Sequence, residues 1–360
     1  MKVMIAGGGT GGHLFPGVAI AEEFLRREED CRVLFVGTEK GIESRVLKEI
    51  GFELRTIDIE GVKGRGFRAV VALFKIPWSI VQSARIIRSF SPDLVVGVGG
   101  YASGPAVVAA YLMGIPTVIA EQNAIPGVTN RILARVARRV FTNFAASLKW
   151  FPPGKTLITG NPIRAGFVER CASREKNDRF TVMVFGGSQG AHRINEAVME
   201  AVPRLADMRD RLRFIHQTGA NDAVVVERAY REGGMEAQVF PFIHDMASAF
   251  RSADLLICRA GATSIAEITA CGKAAVFIPF PYAVNDHQTG NAKVLVEAGA
   301  AEMIEERNLD GARLADTIRR LSSDPERVKR MEEQSRKLGN PRAAADIVDA
   351  CIEMLKAVHS

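Results

Sequence analysis

Residues 7–13 read Gly-Gly-Gly-Thr-Gly-Gly-His and carry the strongest chemical signal in the chain. Glycine has no Cβ, so such a backbone can approach a ligand closely. The apolar residues that follow have helical spacing, which predicts that the segment lies at a helix N-terminus. Free N–H groups and the positive end of the helix dipole favour an anion there, usually phosphate. His13 lies at the start of this helix and is an acid–base candidate, because a free imidazole titrates near neutrality.

Other interpretations of this segment stay open. Gly7, Gly9 and Gly12 fit the G-x-G-x-x-G pattern of dinucleotide-binding turns, which expects an acidic residue about 20 positions later, at the end of the second strand. Glu39 comes late for that role and falls on the next predicted helix, so the pattern is weak evidence for a nicotinamide cofactor. Alternatively, residues 7–13 form a tight strand–helix turn that binds no ligand. His13 would then have a structural role, in which it only orients the loop.

Polar residues also follow several other predicted strands. A second glycine turn at residues 186–190 follows a strand and precedes a helix, as the first turn does. The other polar segments after strands are residues 97–105, 121–123, 259–264 and 285–291. Ligands bind at the carboxyl ends of parallel strands, so we expect these segments to contribute to a common site. Loop capping is the alternative for any one of them.

The elements that position these residues form two α/β series. Short apolar segments typical of strands alternate with helical segments up to about residue 160. The alternation then stops, and it begins again with a strand at residues 180–185. Alternation of this kind predicts parallel sheets with right-handed crossovers. A chain of 360 residues suits two domains of moderate size. We therefore expect an α/β protein with two Rossmann-like, doubly wound domains that face each other across a cleft.

Cysteine usage and hydropathy limit the class of protein. The five cysteines lie far apart and form no C-x-x-C motif: Cys31, Cys171, Cys258, Cys271 and Cys351. They are predicted to be buried free thiols of a reducing compartment, not disulfides or metal ligands. The chain enters a strand at once, so we expect no signal peptide. The longest apolar stretch, residues 107–120, is too short to span a bilayer, which predicts a cytoplasmic protein that does not cross a membrane.

The excess positive charge of the chain lies in its first half. The formal net charge is +6, and residues 1–163 hold 20 lysines and arginines against 13 acidic residues. Residues 61–92, which include Lys63, Arg65 and Arg68, contain no acidic residue, and neither do residues 122–168. One-sided clusters of this kind predict an anionic partner, which is nucleic acid, anionic lipid or a phosphorylated substrate.

Residues 70–80 favour a membrane surface among these partners. The segment is strongly apolar, lies inside the first basic run, and includes Leu73, Phe74, Lys75 and Trp78. Basic residues beside large apolar ones are typical of a helix that lies in the headgroup region of a bilayer. A core helix is the alternative. Aromatic residues are too thinly spread for a nucleic-acid stacking platform, so no nucleic acid is expected.

Seven motifs together carry a family resemblance. They are GGGTGGHLFP (7–16), GVGGYASGP (97–105), EQN (121–123), GNPIR (160–164), FGGSQGA (185–191), RAGATSIAE (259–267) and DHQTGNA (286–292). The chain resembles the MurG family of peripheral membrane N-acetylglucosaminyltransferases in bacterial peptidoglycan synthesis, over essentially its full length. One departure is Ala120, which stands before the third motif where some relatives have histidine.

The resemblance implies a fold and a reaction. It implies the GT-B fold, with residues 1–163 and the C-terminal helix 342–360 as the acceptor and membrane domain and residues 164–341 as the donor domain. It also implies inverting transfer of GlcNAc from UDP-GlcNAc to the muramoyl 4-hydroxyl of lipid I, the undecaprenyl-diphosphate-linked MurNAc-pentapeptide, which gives lipid II. A cell-wall or division complex is a further partner that it suggests.

Such a transfer needs a base and a means to stabilise the departing diphosphate. No Asp-x-Asp pair occurs in the sequence, so we expect neither a metal nor another cofactor. The second glycine turn with Ser188, assisted by Arg164 and Thr263, is expected to balance the diphosphate instead. Glu267 suits a bidentate hydrogen bond to ribose hydroxyls.

The remaining expected site residues rest on residue chemistry and position and, for the uracil contact, on the resemblance. His13 is the expected base, with Tyr101 and Glu121 as fallback candidates. The other expected donor-binding residues, with backbone contacts to uracil near Ile243 and Ala262, are Thr10, Gly11, Gly12, Asn123, Ile243, Ala262, Gln288 and Asn291. The residues expected to hold the acceptor diphosphate are Gly8, Gly9, Thr10, Gly11, Gly12, Gly99, Gly100 and Ser103.

Three competing functions remain at this point. A related GT-B transferase that glycosylates diacylglycerol would share the donor chemistry and the membrane face, but its acceptor has no diphosphate for the first turn. A nicotinamide-dependent oxidoreductase would need the missing acidic residue and no second glycine turn. A non-catalytic membrane adaptor would not bind UDP-GlcNAc.

Overall fold

The computed structural model describes residues 1–39, 41–59, 67–171, 178–187 and 189–359, with the side chains of 67–74 and 358–359 excepted. The chain divides into two compact units. The first comprises Met1–Ala165 and Asn340–Ser360, and the second comprises Gly166–Gly339.

The first unit contains a seven-stranded sheet in the order β3-β2-β1-β4-β5-β6-β7. Up to its last strand it consists of β1 Lys2–Gly7, α1 Gly11–Arg27, β2 Arg32–Gly37, α2 Glu43–Ile50, β3 Glu53–Thr56, α3 Phe67–Phe90, β4 Leu94–Gly99, α4 Ser103–Leu112, β5 Thr117–Glu121, α5 Val128–Leu133, β6 Arg139–Thr142 and β7 Thr156–Ile158, with a 3₁₀ helix at Ala145–Trp150. All neighbouring strands pair in parallel.

Both faces of this sheet are buried. Along β1, Val3 and Ile5 point into a core shared with α1, whereas Met4 and Ala6 point into a second core shared with α3 and α4. Successive strand side chains alternate between faces, so a strand covered by helices on both sides must be apolar throughout. This requirement explains the uninterrupted apolar runs in the central strands.

The second unit contains a six-stranded parallel sheet in the order β10-β9-β8-β11-β12-β13. Its elements are α6 Phe167–Cys171, β8 Phe180–Phe185, α7 His192–Ala201, β9 Leu212–Gln217, α8 Ala223–Glu232, β10 Glu236–Phe240, α9 Met246–Ser252, β11 Leu255–Cys258, α10 Ala262–Ala270, β12 Ala274–Phe277, α11 His287–Glu297, β13 Ala301–Met303, α12 Gly311–Ser322 and α13 Pro325–Leu338, with 3₁₀ helices at Val202–Met208, Val284–Asp286 and Glu306–Asn308. The prediction of two parallel-sheet α/β domains is confirmed, although the three-residue strand β13 gave no sequence signal.

The C-terminal helix, α14 Ala343–His359, belongs to the first unit. Its apolar face, with Ile347, Val348 and Cys351 fully buried, joins the core that contains α1. Asp349 on the same helix forms an ion pair with Arg27 at the end of α1. The last residues of the chain therefore complete the core of the unit that the first residues begin.

The expectation of five free thiols is wrong for two of them. Cys171 at the end of α6 and Cys271 just after α10 form a disulfide with Cα atoms 6.0 Å apart. Their separation of 100 residues gave no pairing signal, because only the packing of the second unit brings the two helix ends together. Cys31, Cys258 and Cys351 are buried free thiols, as predicted.

Within the described residues, we find no helix with both the length and the apolar character needed to cross a bilayer. The described part of the chain also contains no group of three or more His, Cys, Asp or Glu side chains arranged to hold a metal ion.

Candidate functional site

The first glycine turn follows β1 and leads into α1. Gly8 and Gly9 have φ values of 137° and 84°, a region that favours glycine. Gly11 and Gly12 occupy the first turn of α1, so their N–H groups have no carbonyl one turn back in the helix. Arg164 lies beside this helix, with its guanidinium carbon 5.4 Å from the centre of the Phe15 ring.

A buried carboxylate, that of Glu43, holds the first glycine turn through a hydrogen bond. Glu43, only 1% exposed, accepts hydrogen bonds from Gly9 N at 2.8 Å and from both the N–H and the hydroxyl of Thr38 at 2.9 Å. A Cβ on Gly8 would lie 2.5 Å from the Glu43 carboxyl carbon. The N–H of Gly9 is therefore engaged within the protein, whereas those of Gly11 and Gly12 in the first turn of α1 have no partner within the helix and suit an outside anion. Sequence reasoning missed Glu43.

His13 is packed between two strand ends. Its Nδ1 lies 3.2 Å from Oε1 of Gln122, the residue after β5. On another side the ring faces Gly99 at the end of β4, where a Cβ would come within 2.7 Å of Nδ1. The structure thus brings His13 together with two of the segments that the sequence placed at strand ends, and it gives Gln122 of the segment 121–123 a contact for which the sequence had assigned no role.

The glycine pair Gly99–Gly100 after β4 lies next to the first glycine turn, because β1 and β4 are neighbouring strands. Gly99 and Gly100 have φ values of 92° and 79°, and a Cβ on Gly100 would overlap the carbonyl oxygen of Gly8. Tyr101 follows and is half-exposed. Ser103 begins α4, and its buried hydroxyl has no hydrogen-bond partner among the described residues. The predicted acceptor residues Gly8, Gly100 and Ser103 are therefore grouped around two helix N-termini.

Glu121 is held in a structural role by its partners. Its Oε1 accepts from the N–H and the side-chain amide of Asn123 at 2.9 and 3.1 Å, and its Oε2 accepts from Gly127 N at 3.1 Å and Asn130 Nδ2 at 2.9 Å. The side chain is 3% exposed. Four donors around one buried carboxylate explain the shape of the loop after β5, and they give Glu121 a bracing function that its strand-end position alone did not reveal.

In the second unit, a cavity of about 630 Å³ opens at the carboxyl ends of β8 and β11. The second glycine turn lines it with Gly186, Gly187 and Gly190, and the N-terminal turns of α7 and α10 line it with His192 and Ser264. Two helix N-termini and a glycine turn around one cavity form a setting suited to a diphosphate. Ser188 itself lies outside the described residues.

The predicted donor residues of α10 lie in its first two turns. Thr263 has a buried hydroxyl that finds no hydrogen-bond partner among the described residues. Ala262 is buried, and Glu267 is 9% exposed. An orphaned hydroxyl at a helix N-terminus whose neighbours Gly261 and Ser264 line the cavity fits a ligand oxygen, because a buried polar group without a partner is costly.

Three predicted donor residues also serve the fold. Ile243 N donates to Gln217 Oε1 at 2.9 Å, so its carbonyl is the backbone group left for a base. Gln288 lines the cavity, and its Oε1 accepts from Phe280 N at 2.9 Å. Asn291 is fully buried and donates to the carbonyl of Ala260 at 3.2 Å.

Two basic side chains in this cavity received no individual role from the sequence, although Arg259 belongs to the segment 259–264 that was expected at the site. Arg259 follows β11, forms an ion pair with Glu306 at 2.5 Å, and donates to the carbonyls of Ile278 and Pro279. His192 lies 2.9 Å from the Asp222 carboxylate, and that hydrogen bond raises the pKa of His192 above its ordinary value. Only their positions in the sequence indicated these residues, because Arg259 follows a strand and His192 follows a glycine turn.

The predicted membrane face is only partly described. The side chains of Leu73 and Phe74 lie outside the described residues, as does that of Arg68, and so do residues 60–66 with Lys63 and Arg65. Trp78 on α3 is 48% exposed, and the Arg85 guanidinium carbon lies 5.3 Å from the centre of its ring. Lys75 forms an ion pair with Asp58 at 3.1 Å.

Comparison with known proteins assigns the class. Residues 3–142 match the model of the glycosyltransferase family 28 N-terminal domain, and residues 181–347 match that of the family 28 C-terminal domain. The chain belongs to glycosyltransferase family 28, and its relatives and structural neighbour identify the MurG family within it.

A protein of Syntrophus aciditrophicus (strain SB) is 59% identical over 358 residues, 99% of both chains. One of Myxococcus xanthus (strain DK1622) is 51% identical over 99% of this chain and 93% of its own. Both are named UDP-N-acetylglucosamine--N-acetylmuramyl-(pentapeptide) pyrophosphoryl-undecaprenol N-acetylglucosamine transferase. The crystal structure of Acinetobacter baumannii MurG superimposes with a TM-score of 0.81 at 34% identity, covering 97% of this chain and 98% of that one. The expectation of a GT-B glycosyltransferase is thereby confirmed.

Proposed function

We propose that this enzyme transfers GlcNAc from UDP-GlcNAc to the muramoyl 4-hydroxyl of lipid I, with inversion, to form lipid II. The printed names of its relatives support the two substrates. The structural observation that carries the proposal is the pair of glycine turns at helix N-termini, one beside His13 and the other on the cavity of the second unit. Each is suited to one of the two diphosphates that this reaction handles.

The second unit is the donor domain in this proposal. The glycine turn 186–190 and Thr263 would hold the UDP diphosphate, and Glu267 would accept the ribose hydroxyls. Arg259 and His192, whose pKa is raised by its hydrogen bond to Asp222, line the cavity, where the leaving diphosphate gains negative charge as the glycosidic bond breaks. These side chains supply the electrostatic stabilisation for which other transferases use a metal ion.

The first unit is the acceptor domain, and His13 is the general base. The N–H groups of Gly11 and Gly12 and the hydroxyl of Ser103 would hold the lipid diphosphate. Arg164, beside α1, keeps its predicted role as a cation for the UDP diphosphate. The carboxylate of Glu121 accepts hydrogen bonds from four donors. Tyr101, half-exposed after β4, is therefore the remaining alternative to His13 as the base.

We further propose that the first unit docks peripherally on the cytoplasmic face of the inner membrane. The excess of basic residues in the first half of the chain and the exposed Trp78 beside Arg85 support this docking, because such pairs favour an anionic headgroup layer. We place the docked enzyme in a cell-wall or division complex, the setting that the family resemblance implies.

The test of the activity is transfer of labelled GlcNAc to a short-chain lipid I analogue, in the presence of EDTA. We expect product with EDTA and its loss in His13→Ala, with an unchanged melting temperature. Transfer to diacylglycerol instead of lipid I would overturn the acceptor assignment. Near-normal turnover by a folded His13→Ala would remove this residue as the base.

The test of membrane docking is flotation on vesicles rich in anionic lipid. Phe74→Ser/Trp78→Ser should float less than wild type, and raised salt should reduce binding further. Tyr282→Ser, which changes an aromatic residue 82% exposed in the second unit, is the matched control. Equal flotation of all three proteins contradicts the docking surface.

A further inference from the structure

The side chain of Gln122 has an orientation that its surroundings dictate. It is 1% exposed, and its Nε2 donates to the carbonyl oxygens of Val98 at 3.0 Å and Ala120 at 3.2 Å. A carbonyl oxygen only accepts hydrogen bonds, so the NH₂ end of the amide must face these two oxygens. Turning the amide over would place its own oxygen against both carbonyls.

This orientation decides the tautomer of His13. Gln122 Oε1 lies 3.2 Å from His13 Nδ1, and an amide oxygen can only accept. His13 Nδ1 must therefore carry a hydrogen, in the neutral ring as well as in the cation. The lone pair of the neutral imidazole then belongs to Nε2.

We infer that Gln122 is a positioning residue that holds His13 in the Nδ1–H tautomer, so that the acceptor's proton is taken at Nε2. The inference rests on the proposed role of His13 as the base. Gly99 completes the support, because its missing Cβ leaves the space in which the ring lies against the strand end.

The proton balance of the step follows from this arrangement. The muramoyl 4-oxygen forms a bond to the anomeric carbon of GlcNAc and gives its proton to Nε2, while the bond from that carbon to the diphosphate oxygen breaks and UDP leaves. His13 becomes an imidazolium whose Nδ1–H still donates to Gln122. The amide holds the ring without adding a charge.

A neutral partner also limits how strongly the base binds its proton. A carboxylate in the place of Gln122 would favour the imidazolium and raise the pKa of His13. Ionisable groups on the elements around His13 include Glu43 behind the first glycine turn, Tyr101 after β4 and Glu121 at the end of β5. Glu43 and Glu121 are hydrogen-bonded within the protein.

Two variants of Gln122 test separately its effect on the orientation of His13 and the effect of a charge beside that ring. Gln122→Leu should lower kcat by about 10- to 100-fold, a part of what general-base catalysis contributes, while the KM for UDP-GlcNAc stays within about threefold of wild type. Gln122→Glu should move the acidic limb of the kcat–pH profile upward by about one unit or more. Gln238→Leu, at an exposed position on β10, is the matched control and should leave both quantities unchanged.

A measurement on the wild-type enzyme avoids any folding defect of the variants. Two-bond ¹⁵N–¹H correlation spectra of ¹⁵N-histidine-labelled protein distinguish the two neutral tautomers, and His13→Gln identifies the His13 signals by their loss. We expect Nδ1 to be protonated at neutral or higher pH. An Nε2–H tautomer overturns the inference, and so do an unchanged kcat and pH limb in folded Gln122 variants. If His13→Ala keeps its turnover while the Nδ1–H tautomer is observed, the proposed base is at fault and the geometry stands.

Discussion

At the scale of single residues, the space around His13 is set by the absence of a side chain. Gly99 has a φ of 92°, and the position its Cβ would take is 2.7 Å from His13 Nδ1. Even alanine would therefore both strain the backbone and displace the ring. The contact between His13 and Gln122 depends on this one small residue.

Gly99→Ala should reduce turnover by about 100-fold or more, because displacing His13, the proposed base, removes the alignment that proton transfer needs. The measurement is kcat for GlcNAc transfer, with the melting temperature recorded for the same protein. Gly104→Ala is the matched control, since its Cβ would meet only Thr129 Cγ2, at 3.5 Å. Equal turnover of the two alanine variants would contradict the packing argument.

A second residue-scale feature is the buried His216 in the second unit. It is fully buried between Tyr230 and Asn195, with ring nitrogens 3.1 and 3.0 Å from their side-chain oxygens. Burial disfavours the cation and lowers the pKa of His216 to about 3. Because the unfolded state takes up a proton near pH 6.5 and the folded state does not, acid favours unfolding through this group.

Through protonation of this histidine in the unfolded state, the unfolding free energy should fall by about 2 kcal/mol between pH 7 and pH 5, at about 1.4 kcal/mol per pH unit. The measurement is urea unfolding at both pH values, comparing wild type with His216→Gln, whose loss should be smaller by that amount. His192→Gln should lose more stability than wild type over the same pH range, because the raised pKa of His192 stabilises the fold as the pH falls. An identical pH dependence for wild type and His216→Gln would refute the argument.

At the scale of elements, both candidate ligand sites are built from strand–turn–helix units. Each combines a glycine turn with the start of a helix, α1 in the first unit and α7 in the second. The turns are supported from behind, by Glu43 in one case and by Gln217 in the other, whose Nε2 donates to Gly187 O at 2.8 Å. Such supports keep the outward N–H groups in place for a ligand.

The disulfide between α6 and the end of α10 should stabilise the second unit. It closes a loop with a sequence separation of 100 residues, and a cross-link of that kind is worth about 2–4 kcal/mol through the unfolded chain. Adding dithiothreitol to the oxidised protein should lower its melting temperature and leave Cys171→Ser/Cys271→Ser unchanged.

Thiol titration in denaturant provides the direct check. The three free cysteines should react before reduction, and all five cysteines after it. Five reactive thiols in protein purified without reductant would show that the two cysteines are not joined.

At the scale of the whole molecule, the two ends of the chain belong to one unit. α14 packs its buried residues against the core that contains α1, and Asp349 pairs with Arg27. The central part of the chain forms the second unit. The first unit is therefore not complete until α14 is in place.

Ile347→Asp should lower the unfolding free energy of the first unit by about 4 kcal/mol, because it removes a fully buried side chain and buries a charge without a partner. Lys356→Asp, at an exposed position on the same helix, should cost less than about 1 kcal/mol. Urea unfolding of both variants is the measurement. Comparable losses would mean that α14 does not contribute to this core.

Much of the architecture was predictable because the signals are local. Strand–turn–helix patterns, glycine turns and apolar runs depend on neighbouring residues, and they indicated both parallel sheets. β13 was missed, since Ala301–Met303 is only three residues long. The motifs that carried the resemblance predicted the family, which the comparisons confirm. The individual roles of site residues such as His13 and Glu267 remain predictions.

The sequence by itself determined that a glycine turn and a histidine stand together at a helix start, because adjacency along the chain needs no folding. Only the tertiary structure decided what surrounds them. Gln122 and Glu43 reach the first turn across 109 and 34 positions, and Cys171 meets Cys271 across 100. Hydrogen-bond roles, tautomers and cross-links depend on partners brought together by packing, and no local pattern in a single chain encodes them.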